Sequence, residues 1–156
     1  MTFSVPKRRV SAQLVLPGGS SRDVAVFLAE AAPGRPDGER LSDLLNSGAE
    51  FIPVVDPESK HVAFVRCENL AVARVAVELE SNDDAEQHTI PTEHEVEIQL
   101  VDGQRLRGLI TYVLPESRSR LTDYLNNTPN FFPLIQAERV ALVNKRHVAY
   151  VESLSR

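Results

Sequence analysis

The sequence contains few of the residues that build disulfide-linked, metal-bound or aromatic sites. Among its 156 residues there is one cysteine and no tryptophan, and aromatic residues make up 6%. The single cysteine, Cys67, excludes an intramolecular disulfide and a cysteine-based zinc site. A chain without disulfides fits a reducing compartment. We therefore expect a cytoplasmic protein.

Long hydrophobic runs are also missing. No stretch approaches the roughly 18 to 20 apolar residues that span a bilayer, and no apolar segment of signal-peptide length follows the basic residues near position 8. The hydrophobic fraction of 42% and the charged fraction of 25% are typical of a folded globular chain. The composition predicts a soluble protein that makes no membrane contact.

Positive charge is scarce for a protein that would bind nucleic acid. The net charge is -5, and the acidic excess lies in residues 76–94, which hold six acidic and no basic side chains. The segments on either side are close to neutral, so neither has the basic excess of a strong nucleic-acid binder. Fourteen arginines stand against three lysines, a bias that favours a bacterial source with a GC-rich genome.

Recognisable catalytic motifs are absent. The sequence has no glycine-rich phosphate loop, no Gly-x-Ser-x-Gly elbow and no His-Glu-x-x-His pair. Its four histidines, at positions 61, 88, 94 and 147, form no pair at helical spacing that would hold a metal ion. We therefore predict no enzyme activity, no catalytic residue, no cofactor and no metal site.

An internal repeat is the main organising feature. Residues 40–46 (RLSDLLN) match residues 120–126 (RLTDYLN), and at the same offset FIPV at 51–54 matches FFPL at 131–134. Further on, VAFV at 62–65 matches VALV at 140–143. Matched blocks in one order predict two copies of a single module. We assign residues 1–77 to the first module, 78–94 to an acidic linker and 95–156 to the second module.

The second copy predicts the element order of the module. Val96, Ile98 and Leu100 alternate with polar residues up to an Asp-Gly turn, as in a half-buried strand. A return strand follows, then a short helix around residues 121–126 and three more short strands, in the order β-β-α-β-β-β. Five short strands in about 60 residues favour a small, strongly bent barrel, since closure removes exposed edges. The sequence predicts a mainly β protein with short helices and two tandem five-stranded barrels.

Residues 96–112 (VEIQLVDGQRLRGLITY) resemble the first two strands of Sm-like proteins, those of the Hfq type in particular. Residues 142–151 resemble the last two strands, where Lys145 matches the lysine of a Tyr-Lys-His signature, with Asn144 and Arg146 at its flanking positions. The resemblance implies an Sm-like or SH3-like barrel. It also implies RNA binding as one function, and assembly by strand pairing between barrels as another.

Two groups of side chains are candidates for binding. The repeated helical block offers a partner-binding surface, although a helix cap with local ion pairs is the alternative explanation. A basic cluster offers phosphate contacts if its members share one rim, and a solvated turn is the alternative. The first group is Arg40, Asp43, Asn46, Arg120, Asp123 and Asn126; the second is Arg105, Arg107, Lys145 and Arg146.

The aromatic residues that precede the repeated prolines are expected in the core. Phe51, Phe131 and Phe132 are the largest apolar side chains available to modules that lack tryptophan. An exposed partner-binding patch is the alternative. Taken together, these features predict a non-catalytic interaction or assembly module, with a protein partner or self-association. An RNA-binding Sm-like regulator is the alternative function.

Overall fold

The computed structural model describes residues 6–32, 34–35, 37–80, 91–113 and 120–154. Ten strands form one sheet in which every neighbouring pair is antiparallel. The strands are β1 (Lys7–Val15), β2 (Ser21–Ala29), β3 (Phe51–Val55), β4 (Val62–Arg66), β5 (Val72–Ala76), β6 (Thr92–Leu100), β7 (Arg105–Tyr112), β8 (Phe131–Gln136), β9 (Arg139–Asn144) and β10 (Val148–Ser153). Helices α1 (Leu41–Leu45) and α2 (Leu121–Asn127) follow β2 and β7.

The two halves of the chain have the same topology. Within the sheet the first half runs β5-β1-β2-β3-β4 and the second half runs β10-β6-β7-β8-β9. In each half the fourth strand leads through a 3₁₀ turn to the fifth, at Cys67–Asn69 and at Lys145–His147. The element order thus agrees with the internal repeat seen in the sequence.

The halves join through their edge strands. β5 of the first half pairs with β9 of the second, with Val72 opposite Val143 and Ala76 opposite Arg139. A strand at the edge of a sheet carries unpaired backbone groups, and pairing two such edges satisfies both rows. This pairing makes one continuous sheet, which begins at β4 and ends at β10.

The central strands are apolar on both faces because each face meets a different core. Val72 and Ala73 on β5, and Leu142 and Val143 on β9, are all fully buried. Ala73 and Leu142 lie in the hydrophobic core of the first half, whereas Val72 and Val143 lie in that of the second. Strands covered on both faces lose the alternation of polar and apolar residues that marks a half-exposed strand.

The structure confirms a mainly β protein with short helices. It does not show two closed barrels, because the strands belong to one open sheet whose end strands β4 and β10 do not pair. Of the predicted linker, Glu78 and Leu79 lie in a 3₁₀ turn and residues 92–94 open β6. Residues 81–90 of the linker lie outside the described residues.

Candidate interaction surfaces

In the first copy of the repeated block, Asp43 holds the start of α1. Its Oδ2 accepts hydrogen bonds from the backbone N–H of Arg40 and from Nε of Arg35, both at 3.0 Å. Partial burial alone would raise the pKa of Asp43, but the hydrogen bonds from Arg35 and Arg40 lower it below the ordinary value of 3.8. The salt bridge that sequence spacing predicted between Arg40 and Asp43 is instead made by Arg35. The Asp43 carboxylate and the main chain of Arg40 are therefore engaged within the chain at the start of α1.

Asn46, at the end of α1, contacts the other half of the chain. Its Nδ2 donates to the backbone carbonyl of Phe131 at 3.0 Å, and its Oδ1 accepts from the Phe131 backbone N–H at 2.8 Å. Phe131 opens β8 and is 2% exposed. The side chain of Asn46 therefore binds the main chain of the second half in the way that a neighbouring strand would.

The second copy of the block differs from the first at both ends of its helix. Arg120 occupies the N-cap position of α2 and Asp123 lies in its first turn, but this helix start has no side-chain cap hydrogen bond among the described residues. Asn126 occupies the position of Asn46 but is exposed, and its side-chain amide has no hydrogen-bond partner among the described residues. Within the described residues, Asn46 therefore makes side-chain hydrogen bonds and Asn126 makes none.

The four basic residues that the sequence singled out have polar partners. Arg105 and Arg107 on β7 both lie 3.6 Å from the carboxylate of Glu97. Lys145 Nζ donates to the backbone carbonyl of Thr128 at 2.9 Å. Arg146 Nη1 lies 3.4 Å from Glu68 in the other half. Phosphate binding would have to compete with these contacts.

An open groove of about 490 Å³ lies where the halves meet. Its charged lining residues are Arg66, Arg146, Glu50 and Glu68, so acidic and basic side chains are equal in number. Glu68 accepts contacts at 3.4 Å from both arginines. The groove therefore lacks the continuous positive charge that a phosphate backbone requires.

Cys67 lines the same groove without being an accessible nucleophile. It is 6% exposed and lies in the 3₁₀ turn between β4 and β5. Burial raises the pKa of the Cys67 thiol above its ordinary value of 9.0. Because the thiolate is the reactive form, this cysteine is poorly suited to catalysis.

The side chain of Asn144 connects the two halves of the chain. It lies at the start of the turn between β9 and β10 and binds the main chain of the first half. Asn144 is fully buried, and its Nδ2 donates to the backbone carbonyl of Leu70 at 2.9 Å. Its Oδ1 accepts from the backbone N–H of Arg146 and from the side chain of Asn130, each at 3.0 Å. In the sequence, Asn144 stands out only because it occupies a flanking position of the Tyr-Lys-His signature.

The strands at the two ends of the sheet carry large exposed apolar side chains. On β4, Val62 is 57% exposed and Phe64 is 68% exposed; on β10, Tyr150 is 55% exposed. An uncovered strand edge with large apolar side chains is a site at which another strand can add. Val62 and Phe64 could not be identified from the sequence, because VAFV in β4 has the same apolar pattern as VALV in the buried β9.

One of the three phenylalanines expected in the core lies outside it. Phe131 and Phe132 are 2% and 1% exposed, as predicted, whereas Phe51 is 52% exposed. Phe51 opens β3, next to the sheet end β4, and the guanidinium of Arg66 lies 5.8 Å from its ring centroid. The prediction for Phe51 was wrong because the sheet has no further strand to cover this end.

Sites of other kinds are not found in the part of the chain that the structure describes. Within it, no cluster of three or more His, Cys, Asp or Glu side chains is placed to hold a metal ion. None of its helices has the length and apolarity needed to cross a lipid bilayer. Comparison of the chain with models of protein families, with curated proteins and with solved structures finds no match.

Proposed function

We propose that this chain is a non-catalytic assembly module that joins polypeptides through the two ends of its sheet. The observation that carries the proposal is the apolar character of both open ends, at β4 and at β10. An added strand gains main-chain hydrogen bonds from an open edge and specificity from the side chains beside it. Each half is proposed to be a small Sm-like or SH3-like unit, in keeping with the resemblance of residues 96–112.

The contacts of the candidate residues support a protein partner over RNA. Arg105 and Arg107 share the carboxylate of Glu97, and Arg146 pairs with Glu68. The groove at the junction is balanced in charge. Aromatic side chains stack on bases in most single-strand RNA sites, and Asn144 stands where the Hfq-type signature has its tyrosine. RNA binding by Arg105, Arg107, Lys145 and Arg146 is therefore the alternative that the experiments must test.

Site-specific photocrosslinking tests the proposal. A photoreactive phenylalanine analogue is placed at position 64 or 150, and the adducts formed in the native cell are identified by mass spectrometry. The matched control is position 113, because Val113 is 56% exposed but is not part of β4 or β10. We expect defined polypeptide adducts at positions 64 and 150 and none at 113. Equal adducts at all three positions, or none, would refute the proposal.

A binding assay with single-stranded RNA tests the alternative. If the basic cluster contacts phosphates, affinity falls steeply as salt is raised, and Arg146→Glu weakens binding while the fold is kept. We expect no such salt-dependent binding. A steep salt dependence that Arg146→Glu reduces would replace the assembly proposal with the RNA-binding one.

A further inference from the structure

We propose that the partner at these sheet ends is a second copy of this chain, with β4 of one molecule paired antiparallel to β10 of the next. This inference rests on the proposed assembly function and names its partner. The pairing between the two halves of one chain is the template for this pairing between molecules. There, a fourth strand of one half (β9) pairs with the fifth strand of the other (β5). The strands left open are a fourth strand, β4, and a fifth strand, β10.

The apolar residues exposed at β4 repeat residues that are buried at the internal junction. Three residues of the second half lie in the core of the first: Phe131, Val140 and Leu142, exposed by 2%, 3% and 0%. Their counterparts in the first half are the residues exposed at its open end: Phe51, Val62 and Phe64, exposed by 52%, 57% and 68%. Pairing in the sheet confirms the match, since Pro53 faces Phe64 as Pro133 faces Leu142.

The residues exposed near β10 repeat the other side of the same junction. Three residues of the first half lie in the core of the second: Val15, Ala71 and Val72, exposed by 5%, 1% and 0%. Their counterparts in the second half are Val101, which is 64% exposed, Ala149, which is also exposed, and Tyr150, which is 55% exposed. Each open end therefore carries the counterparts of one side of the internal junction. The register differs at β10, where Tyr150 faces Gln99, whereas Val72 on β5 faces Val15.

The polar contacts of the junction repeat as well. Asn46 binds the main chain of Phe131 across the internal junction. In a junction between two molecules, the counterpart pair is Asn126 of one chain and the main chain of Phe51 of the next. Asn126 is exposed and its amide is unused within the described structure. The proposed junction gives the repeated asparagine the same role in both copies.

The charged side chains Glu68 and Arg146 also favour the pairing of β4 with β10 between molecules. Glu68 and Arg146 occupy equivalent positions in the two 3₁₀ turns and pair across the internal junction at 3.4 Å. A junction between molecules again brings Arg146 of one chain to Glu68 of the next, so opposite charges alternate along the assembly. Because the two surfaces that meet are different, the assembly grows head to tail into a ring or a filament and does not end as a two-fold dimer.

Two charge substitutions, each at one end, test the inference. Phe64→Glu removes the β4 surface, and Tyr150→Glu removes the β10 surface. Light scattering after gel filtration should show wild-type assemblies of more than two chains, and each variant alone at the 17.3 kDa mass of a single chain. An equal mixture of the two variants should recover one junction and give a species of twice that mass. Val113→Glu, at an exposed site away from both ends, should assemble like the wild type.

Other outcomes would overturn the inference. Circular dichroism first establishes that each variant is folded as the wild type is. A wild-type monomer at roughly 100 µM, above the micromolar dissociation constants of weak specific interfaces, would exclude self-association. Dimers formed by one variant alone would show two-fold pairing of like edges instead. If photocrosslinking at position 64 then captures a different polypeptide, the assembly function stands and only the identity of the partner is wrong.

Discussion

The side chain of Asn46 and the main chain of Phe131 form two hydrogen bonds, at 3.0 and 2.8 Å, that tie the two halves of the molecule together. Phe131 pairs with Asn144, the last residue of β9, one position past Val143, where the ladder between β9 and β5 ends. A side-chain amide supplies both a donor and an acceptor, so it can replace one backbone partner of an edge strand. The junction between the halves is therefore held by packing, by strand pairing and by this amide.

Asn46→Ala should destabilise the protein because it leaves the buried N–H of Phe131 without this acceptor. An unsatisfied buried donor costs about 1 to 3 kcal/mol, and the loss should appear as a lower midpoint in urea denaturation. Asn126→Ala is the matched control, since it removes the repeated asparagine whose amide has no partner among the described residues. We expect the control to change stability little while weakening the assembly. Equal destabilisation by both variants would contradict this role for Asn46.

Asn144→Ala should also destabilise the fold, by about 1 to 3 kcal/mol, because Leu70 loses a hydrogen-bond donor to its buried carbonyl. Chemical denaturation measures the change. Asn130→Ala is the control: Asn130 is exposed and gives Asn144 only one of its hydrogen bonds. A smaller loss is expected there. A variant at position 144 as stable as the wild type would mean that the turn is held by other contacts.

Gly108→Ala should disrupt the contact between β7 and β8. A Cβ at Gly108 would lie 2.5 Å from the backbone oxygen of Ile135 and 2.8 Å from Leu134 Cγ, closer than such atoms approach. Overpacking of this kind costs about 1 to 3 kcal/mol. Thermal unfolding measures the loss, and Arg107→Ala, which removes an exposed side chain next in sequence, is expected to cost less than 1 kcal/mol. An unchanged midpoint for Gly108→Ala would show that β8 shifts freely.

Asp43→Asn should lower stability at neutral pH, by about 1 kcal/mol, because the carboxylate that accepts from Arg35 and Arg40 is lost. The pKa of Asp43 is below 3.8 in the folded protein. The wild-type advantage is therefore fully present above pH 3.8, and it disappears as pH falls through the lower folded pKa. Urea denaturation of both proteins across this range tests the sign. A difference that grows with acidity would contradict it.

A double-mutant cycle with Arg35→Met separates the ion pair from the helix cap. If Arg35 accounts for the effect, then Asp43→Asn should cost little in the Arg35→Met background. If the backbone of Arg40 accounts for it, the cost should persist. Both outcomes are read from the same denaturation curves.

Most secondary structure could be predicted from local pattern. The alternation of Val96, Ile98 and Leu100 with polar residues predicted β6, and all three are buried as expected. The repeated block predicted both helices, because its apolar spacing is the same in each copy. The salt bridge of Asp43 with Arg35 could not be predicted in this way, because the sequence between β2 and α1 has no periodic signal.

The candidate interaction surfaces could not be predicted in the same way. Asn46 was identified from the repeat, but its partner lies 85 residues away and is a main-chain group, which carries no sequence signal. Phe51 and Phe131 have matching neighbours and opposite exposure, 52% against 2%. The difference arises because β5 covers the outer edge of β9, whereas β4 has β3 on one side and no strand of the described residues on the other.

The amino-acid sequence by itself determined the repeat, the order of elements in each half and the strand faces, because these depend on the spacing of apolar residues along a few neighbouring positions. The tertiary structure decided that the halves share one sheet, which copy of each repeated residue is covered, and which two edges stay open. These properties depend on pairing between strands far apart in the chain. The two halves therefore have the same local pattern but different neighbours. β9 and β5 cover each other in the middle of the sheet, whereas their counterparts β4 and β10 are its uncovered end strands.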